Sequence, residues 1–223
     1  VVPGNYFIQI IKKINSRKVD ISLIEDKIIV IKADRSEFKL NLLSVFDYPN
    51  IDFVCLDKPL VLSSKNLRTI IRETAYATSA NEKRPILTGV SLKYTNNKLL
   101  AIATDSFRLS QKITELDNLD FNDFNIVVPY KSLDELSKAL EAYNEDVEIY
   151  FNKIKIVFKF KNILFQSRLL DGSYPDTSRL IPNEFSQTLS ISTKELVGAL
   201  DRACILLTEK NNVVKLNMDN EEV

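Results

Sequence analysis

The sequence predicts an α+β fold in which helices pack on antiparallel strands, and three observations support this prediction. Apolar residues recur at helical spacing over 64–80, which is typical of an amphipathic helix. Apolar and polar residues alternate over 19–23 and 147–151, which is typical of half-buried strands. An order of one helix followed by three strands also occurs twice along the chain.

The first repeat consists of a helix that begins after Val-Val-Pro, three short strands and a closing Tyr-Pro dipeptide. Matching positions of its two copies are separated by 126 to 128 residues. Several anchors in the same order at nearly constant separation indicate a true internal repeat. The matching parts are, in order, Val1-Val2-Pro3 and Val127-Val128-Pro129, 19–23 and 147–151, 27–31 and 155–159, Phe38 and Phe165, and Tyr48-Pro49 and Tyr174-Pro175.

A second repeat is out of phase with the first. The sequence Leu-Ser-Ser-Lys-Asn-Leu at 62–67 matches Ile-Ser-Thr-Lys-Glu-Leu at 191–196, 129 positions later. Ser63 or Ser64 is the expected N-cap of the helix over 64–80. Two further helix starts are predicted by capping boxes, which are formed by Ser132 with Glu135 and by Ser192 with Glu195.

Three strands are predicted between the helix over 64–80 and the second Val-Val-Pro. Pro85 comes just after that helix, and strands are expected over 86–94, 98–104 and 108–114. Asn96-Asn97 separates the first two of these strands and predicts a tight hairpin turn.

Together the repeats indicate a unit of about 127 residues that is built from two dissimilar halves. We expect 1–56 to be the second half of one unit, 57–183 a complete unit and 184–223 the beginning of a third. Restoring three full units would add roughly 70 residues before Val1 and roughly 90 after Val223.

The composition excludes several kinds of chemistry. The chain contains no histidine, which excludes a Ser-His or Cys-His pair and a His-ligated metal site. Its four glycines are isolated, which excludes a P-loop and a dinucleotide-binding fingerprint. A carboxylate- or lysine-dependent hydrolase is left as an alternative, although no spacing marks one. We therefore expect no catalytic residue, no metal and no cofactor.

A cytoplasmic location is expected. The two cysteines, Cys55 and Cys204, do not form a disulfide framework. The sequence has no apolar run near the roughly 20 residues that cross a bilayer. It begins at Val1 without the pattern of a signal peptide, and the absence of an initiating methionine indicates that the true start is missing.

The charges are unevenly distributed, although the net charge is zero. The segments 1–18 and 58–84 each carry a net charge of +4, whereas 105–125 carries −3. Such blocks can form one face that binds a polyanion and another that repels it. Unrelated solvated patches on helix surfaces would give the same pattern.

Four motifs together resemble the bacterial sliding clamp family, the β subunit of DNA polymerase III. They are Arg-Pro-Ile-Leu-Thr-Gly-Val at 84–90, Ala-Thr-Asp-Ser-Phe-Arg-Leu at 103–109, Val-Val-Pro at 127–129 and Leu-Leu-Asp-Gly-Ser-Tyr-Pro-Asp at 169–176. The family often has Gly and His where this chain has Ser106 and Phe107. The resemblance covers the whole chain and implies that it spans the end of clamp domain 1, all of domain 2 and the start of domain 3.

The resemblance implies a non-catalytic processivity factor. Two subunits of such a clamp close head to tail into a ring around duplex DNA, which they bind without sequence preference. The clamp loader, the catalytic subunit of DNA polymerase III and other proteins dock a short linear peptide on the ring. A repeat-built interaction module that does not act on DNA is the alternative reading.

The resemblance also implies three sets of site residues. The peptide-binding pocket comprises Arg84, Leu87, Thr104, Ser106, Phe107, Arg108, Leu109, Pro175, Arg179 and Leu180, with Leu87, Leu109 and Leu180 as its apolar floor and Arg108 at its rim. The DNA-facing residues are Lys12, Lys13, Lys65, Arg68, Arg72, Asn81, Lys83, Lys131 and Lys138. The dimer edges are Phe38 and Leu40 at one end and Ile205 and Leu206 at the other.

Overall fold

A computed structural model describes residues 1–48, 58–116, 121–182, 184–205 and 213–216. The chain divides into two units, Val1–Tyr174 and Pro175–Val223. In chain order the elements are α1 (Gly4–Lys13), β1 (Asp20–Ile24), β2 (Ile28–Ala33), β3 (Ser36–Asn41), β4 (Leu60–Ser63), α2 (Ser64–Thr74), β5 (Gly89–Thr95), β6 (Lys98–Thr104), β7 (Leu109–Glu115), β8 (Phe124–Pro129), α3 (Tyr130–Ala139), β9 (Asp146–Phe151), β10 (Lys155–Phe160), β11 (Ile163–Arg168) and α4 (Thr193–Cys204).

The structure confirms the α+β prediction and the internal repeat. Helix α1 with strands β1, β2 and β3 has the same order as α3 with β9, β10 and β11. Both sets of three strands are antiparallel and adjacent in sequence order. Helices α2 and α4 begin 129 residues apart, as the second repeat predicts.

Two four-stranded sheets within Val1–Tyr174 exchange strands between the half-units. One sheet has the order β11-β10-β9-β4, and the other has the order β7-β6-β5-β8. Strand β4 precedes α2 in the chain but pairs with β9, whereas β8 precedes α3 but pairs with β5. This exchange ties the two dissimilar halves into one unit.

The core of that unit lies between the sheets and the two neighbouring helices α2 and α3. Leu67 and Ile70 of α2, Leu136 of α3, and Tyr94 and Phe158 of the sheets are almost fully buried there. By contrast, α1 and α4 contain no fully buried residue.

Helix α2 is shorter than predicted. Its N-cap is Ser63, whose hydroxyl accepts a hydrogen bond from the Asn66 N–H at 3.2 Å. The helix ends at Thr74 rather than near residue 80, and a 3-10 turn follows over Ala75–Ala77. The buried Thr74 hydroxyl donates to the Ile70 carbonyl at 2.7 Å, a local bond that competes with regular helix geometry.

The strand predictions are confirmed with shifted boundaries. Asn96 and Asn97 have φ values of 50° and 59° and form the predicted hairpin turn between β5 and β6. The strand predicted over 86–94 begins only at Gly89, because Pro85–Thr88 forms a 3-10 turn. The strand predicted over 108–114 is shifted by one residue.

One predicted capping box is wrong, and the other makes no capping bond. Helix α3 begins at Tyr130 after Pro129, so Ser132 lies inside its first turn, and the Ser132 hydroxyl bonds the Ser167 hydroxyl at 2.8 Å. Ser192 is the N-cap of α4 as predicted, but its side chain forms no capping hydrogen bond. Among the described residues, no helix is long and apolar enough to span a membrane.

Candidate functional site

The loop between β6 and β7 is organised by the carboxylate of Asp105. One carboxylate oxygen accepts the backbone N–H groups of Phe107 and Arg108, each at 2.9 Å. The other oxygen accepts the Arg108 Nε–H at 3.1 Å. These hydrogen bonds, with the backbone N–H of Arg108 as the largest contributor, hold the pKa of Asp105 below its ordinary value.

Thr104 closes the same loop from its other side. Its hydroxyl donates to the Arg108 carbonyl at 2.7 Å and accepts the Ser106 N–H at 3.1 Å. The backbone N–H of Thr104 donates to the Tyr174 hydroxyl at 3.0 Å. Ser106 has a φ of 79°, which lies in the left-handed region that favours glycine. The loop is therefore a fixed turn that presents its outer side chains to solvent.

Two side chains project from this turn. The ring of Phe107 is 98% exposed. The Arg108 guanidinium lies 5.8 Å from the centre of the Tyr76 ring, within the range of a cation–π contact. Asp105 and Tyr76 thus hold Arg108, while Phe107 is free to contact a ligand.

A cleft of about 470 Å³ lies beside this turn. It brings together four residues of the predicted pocket, namely Arg84, Leu87, Ser106 and Phe107. Leu87 is buried and forms an apolar base, whereas Arg84 and Phe107 are exposed. Asn81, which is expected to face DNA, also lines the cleft. The full lining is Ser79, Ala80, Asn81, Arg84, Leu87, Asp105, Ser106 and Phe107.

The remaining pocket predictions lie outside this lining. Thr104 is buried within the turn, Arg108 is exposed next to it, and Leu109 is half-buried at the start of β7. Of the expected apolar floor, only Leu87 lines the cleft. Three further predicted residues belong to the unit Pro175–Val223, where all are exposed: Pro175, Arg179 and Leu180.

Sequence reasoning missed the residues that shape the turn and one wall of the cleft. Asp105 lies two and three positions before the residues whose N–H groups donate to it. This is the spacing of an Asx turn, which could have been recognised in the sequence. Ser79, Ala80 and Tyr76 gave no sequence signal, because their positions depend on the chain path after α2.

The basic residues of α2 differ in how far nearby carboxylates neutralise them. Arg72 lies 3.4 Å from Glu73, and Arg68 lies 4.0 Å from Glu141. Lys65 is exposed and forms no ion pair with any residue that the structure describes. Lys65 is therefore the cation on this helix with the least local compensation.

Helix α3 carries Lys131 and Lys138, as predicted. Lys138 lies 2.8 Å from Asp134 and 2.9 Å from Glu135. Hydrogen bonds to these carboxylates, that to Asp134 first, hold the pKa of Lys138 above its ordinary range. Lys131 lies 4.0 Å from Glu82. Lys138 is thus charged, but the two carboxylates beside it carry more negative charge than Lys138 carries positive charge.

The other predicted basic and edge residues lie as follows. Lys12 and Lys13 lie in the last turn of α1. Lys83 is exposed and precedes the 3-10 turn that begins at Pro85. Phe38 and Leu40 are half-buried on β3, an edge strand of its sheet. Ile205 is exposed just after α4, and Leu206 lies outside the described residues.

The described part of the chain offers no metal-binding cluster, because no group of three or more Cys, Asp or Glu side chains is placed to hold an ion there. A second cleft of about 470 Å³ lies beside β8 and is lined by none of the predicted site residues. Its lining includes Phe124, Phe151, Leu170 and Tyr174.

Comparison with known proteins identifies the family. The model of the DNA polymerase III beta subunit, central domain, matches residues 61–176. The model of the DNA polymerase III beta subunit, N-terminal domain, matches residues 1–52. The Bacillus subtilis (strain 168) beta sliding clamp is 40% identical over 218 residues, which are 97% of this chain and 58% of that protein. A Staphylococcus epidermidis beta sliding clamp is 40% identical over 224 residues and is covered to 59%.

Solved structures agree with this result. The beta chain of DNA polymerase III from Streptococcus pneumoniae superposes with a TM-score of 0.83 at 40% identity, covering 91% of this chain and 54% of that one. The Bacillus subtilis sliding clamp gives a TM-score of 0.82 at 38% identity, covering 93% and 55%. This chain spans less than two thirds of the length of these relatives. The chain belongs to the DNA polymerase III beta subunit family, the bacterial beta sliding clamps.

Proposed function

We propose that this chain is part of a DNA sliding clamp, a processivity factor that encircles duplex DNA. The main supporting observation is the complete unit, in which the helices of its two half-units, α2 and α3, lie side by side on two antiparallel sheets. Lys65 and Lys131 project from the exposed faces of these helices. Contacts from such side chains to phosphate groups position a protein on DNA without reading its sequence.

Our proposal divides the chain into three parts. The segment 1–56 is the C-terminal half of clamp domain 1, 57–183 is domain 2, and 184–223 is the beginning of domain 3. Phe38 and Leu40 on the edge strand β3 and Ile205 and Leu206 after α4 form the two edges of a head-to-tail dimer. An unpaired strand edge supports this role, because it can extend its sheet onto a neighbouring subunit.

The cleft beside the β6–β7 turn is the proposed docking site for a linear peptide. Phe107 and Leu87 offer apolar contacts for a peptide side chain, and the Arg84 guanidinium can bind main-chain carbonyls. Asp105 and Thr104 fix the turn before any ligand arrives, so little conformational entropy is lost on binding. Pro175, Arg179 and Leu180 stay proposed peptide-binding residues on the family resemblance alone.

The proposed clamp performs no chemistry. Its contribution is to keep a bound partner at high effective concentration on the DNA. The partners are duplex DNA, the catalytic subunit of DNA polymerase III, the clamp loader and other proteins with a clamp-binding peptide. The proposed site of action is the cytoplasm.

Fluorescence anisotropy with two unrelated duplexes of equal length tests the DNA-binding part of this proposal. We expect the two duplexes to bind the chain equally, with an affinity that falls as salt is added, because phosphate contacts release counterions. Binding that ignores salt, or a strong preference for one duplex, would contradict the proposal.

A further inference from the structure

Carboxylates stand beside most of the cations on the two neighbouring helices α2 and α3. These helices carry five basic residues that we expect to face DNA. Among the residues that the structure describes, four of the five have a carboxylate oxygen within 4.0 Å, and only Lys65 has none. The five are Lys65, Arg68, Arg72, Lys131 and Lys138.

Lys138 is the most strongly compensated of these cations. Its Nζ lies 2.8 Å from an Asp134 oxygen and 2.9 Å from a Glu135 oxygen. The two acids precede Lys138 by four and three positions on α3, the spacings at which helix side chains meet. The Lys138 side chain is 59% exposed, so a phosphate group that reaches it also meets two carboxylates.

Two further ion pairs connect the helices in a reciprocal way. Arg68 of α2 lies 4.0 Å from Glu141, which belongs to the 3-10 turn Leu140–Ala142 directly after α3. Lys131 of α3 lies 4.0 Å from Glu82, which belongs to the loop that follows α2. The Glu82 and Glu141 side chains are 87% and 68% exposed. Both carboxylates are therefore as accessible to a bound duplex as the cations beside them.

Arg72 is compensated less, although Glu73 lies 3.4 Å away. Glu73 also lies 2.7 Å from Lys112 on β7. The hydrogen bond with Lys112 is the largest cause that holds the pKa of Glu73 below its ordinary value. The Glu73 carboxylate is thus shared with β7 and is not available to Arg72 alone.

A carboxylate beside a cation weakens the attraction of that cation for phosphate. Distances of 4.0 Å or less are well below the Debye length, about 8 Å at physiological ionic strength, so dissolved salt does not screen the two charges from each other. A phosphate group near such a pair is attracted by one charge and repelled by the other. The pair therefore releases fewer counterions on binding DNA than a lone lysine or arginine would.

We propose that four screening carboxylates, those of Glu82, Asp134, Glu135 and Glu141, limit the affinity of the α2–α3 surface for duplex DNA. This inference rests on the proposed function, in which that surface faces DNA. A protein that encircles DNA stays on it without tight phosphate contacts, and weak contacts leave it free to move along the duplex. Removing the charge of a screening carboxylate should therefore strengthen DNA binding.

Anisotropy titrations of a fluorescent duplex at several salt concentrations test this inference. Combining Asp134→Asn with Glu135→Gln removes both charges beside Lys138 and keeps oxygens that accept hydrogen bonds. At low salt we expect this double variant to bind the duplex at least about threefold more tightly than the wild type. The slope of log affinity against log salt should steepen by up to about 0.9, the value for one added phosphate contact. Glu141→Gln should act in the same direction through Arg68.

A double-mutant cycle with Lys138→Gln shows whether the two carboxylates act through that lysine. In the wild-type background Lys138→Gln should reduce the salt slope only slightly, because Asp134 and Glu135 compensate Lys138. In the background that lacks both carboxylates, the same substitution should reduce the slope by about 0.9. An equal effect of Lys138→Gln in the two backgrounds would overturn the screening of this lysine.

Glu148→Gln is the matched control. Glu148 lies 2.9 Å from Lys159, so this variant also removes a carboxylate charge beside a lysine. Glu148 lies between the buried Val147 and Ile149 on β9, and side chains alternate along a strand. Its side chain is therefore on the opposite face of the sheet from the core and the helices. Glu148→Gln should leave DNA affinity unchanged, which separates local screening from a change in net charge.

The outcomes distinguish a failure of this inference from a failure of the proposed function. Circular dichroism and thermal melting establish that each variant folds. If neither the wild type nor any folded variant binds the duplex, the proposed DNA surface is wrong and the inference falls with it. If the wild type binds but the neutral variants bind no more tightly, the inference alone is overturned. An equal gain in affinity from Glu148→Gln would also overturn the inference alone.

Discussion

The Tyr174 hydroxyl accepts the backbone N–H of Thr104 at 3.0 Å, which joins the segment after β11 to the turn that shapes the candidate cleft. Seventy residues separate the two partners in sequence. Burial raises the pKa of Tyr174, while the bond from Thr104 acts in the opposite direction. The turn is thus held in part by a residue at the C-terminal end of the same unit.

Tyr174→Phe should loosen the turn. It removes the acceptor of a buried backbone N–H, which should lower the free energy of unfolding by about 1–2 kcal/mol. Urea denaturation measures this loss. Tyr76→Phe is the control, since Tyr76 is exposed and its hydroxyl forms no hydrogen bond with the described residues. Equal stability of Tyr174→Phe and the wild type would show that the bond contributes nothing.

Ser106 tests the left-handed conformation of the turn. Its φ of 79° suits glycine, so Ser106→Gly should raise the free energy of unfolding by up to about 1 kcal/mol. Ser106→Val should lower it by at least about 1 kcal/mol, because β-branched residues disfavour positive φ. Thermal melting ranks the variants in the order Gly, Ser, Val. A valine variant as stable as the glycine variant would contradict the assigned backbone conformation.

The hydrogen bonds of Asp105 predict how the turn responds to acid. Because its pKa is lower in the folded turn, the carboxylate contributes stability above the ordinary aspartate pKa near 4. That contribution is lost as the pH falls through the lower pKa of the folded state. NMR should show the Phe107 and Arg108 amide protons protected at neutral pH and opening only below about pH 4.

Asp105→Asn is the control for this titration. The amide oxygen still accepts hydrogen bonds but does not titrate, so the acid-dependent opening of the turn should disappear. Opening of the wild-type turn well above the ordinary aspartate pKa would assign the effect to another group.

The sequence predicted the repeat, the helices and the β5–β6 hairpin because each depends on local patterns. Asn96-Asn97 tolerates positive φ at both turn positions, and the apolar spacing of α2 matches its buried face. The end of α2 was missed because the Thr74 hydroxyl bonds within the last turn. Ser132 has the spacing of a cap, but the helix starts two residues earlier, after Pro129.

The candidate site was predicted only in part, because its walls come from distant segments. Arg84 and Phe107 belong to motifs that resemble the clamp family, and they do line one cleft. The resemblance placed Asn81 among the DNA-facing residues and did not predict that the chain path after α2 would also bring it to the cleft. Leu109 was expected on the floor by strand alternation, but it lies outside the cleft lining.

Lys65 and Lys138 should contribute differently to DNA binding. Lys65→Gln should reduce the slope of log affinity against log salt by about 0.9, the value for one lost phosphate contact. Lys138→Gln should reduce it less, because Asp134 and Glu135 already compensate Lys138. Anisotropy titrations at several salt concentrations give both slopes. A larger reduction of the salt slope by Lys138→Gln than by Lys65→Gln would contradict the contributions that we assign to these two residues.

Titrating the isotope-labelled chain with a linear peptide that carries Leu and Phe anchors tests the proposed docking site most directly. We expect NMR shift changes at Arg84, Leu87 and Phe107. Phe107→Ala should weaken binding by at least about tenfold, as expected for a hot-spot side chain. Phe46→Ala should not change binding, since Phe46 is an equally exposed phenylalanine, at 99%, outside the cleft. Shift changes confined to other surfaces, or equal losses from both variants, would contradict the assignment of this cleft.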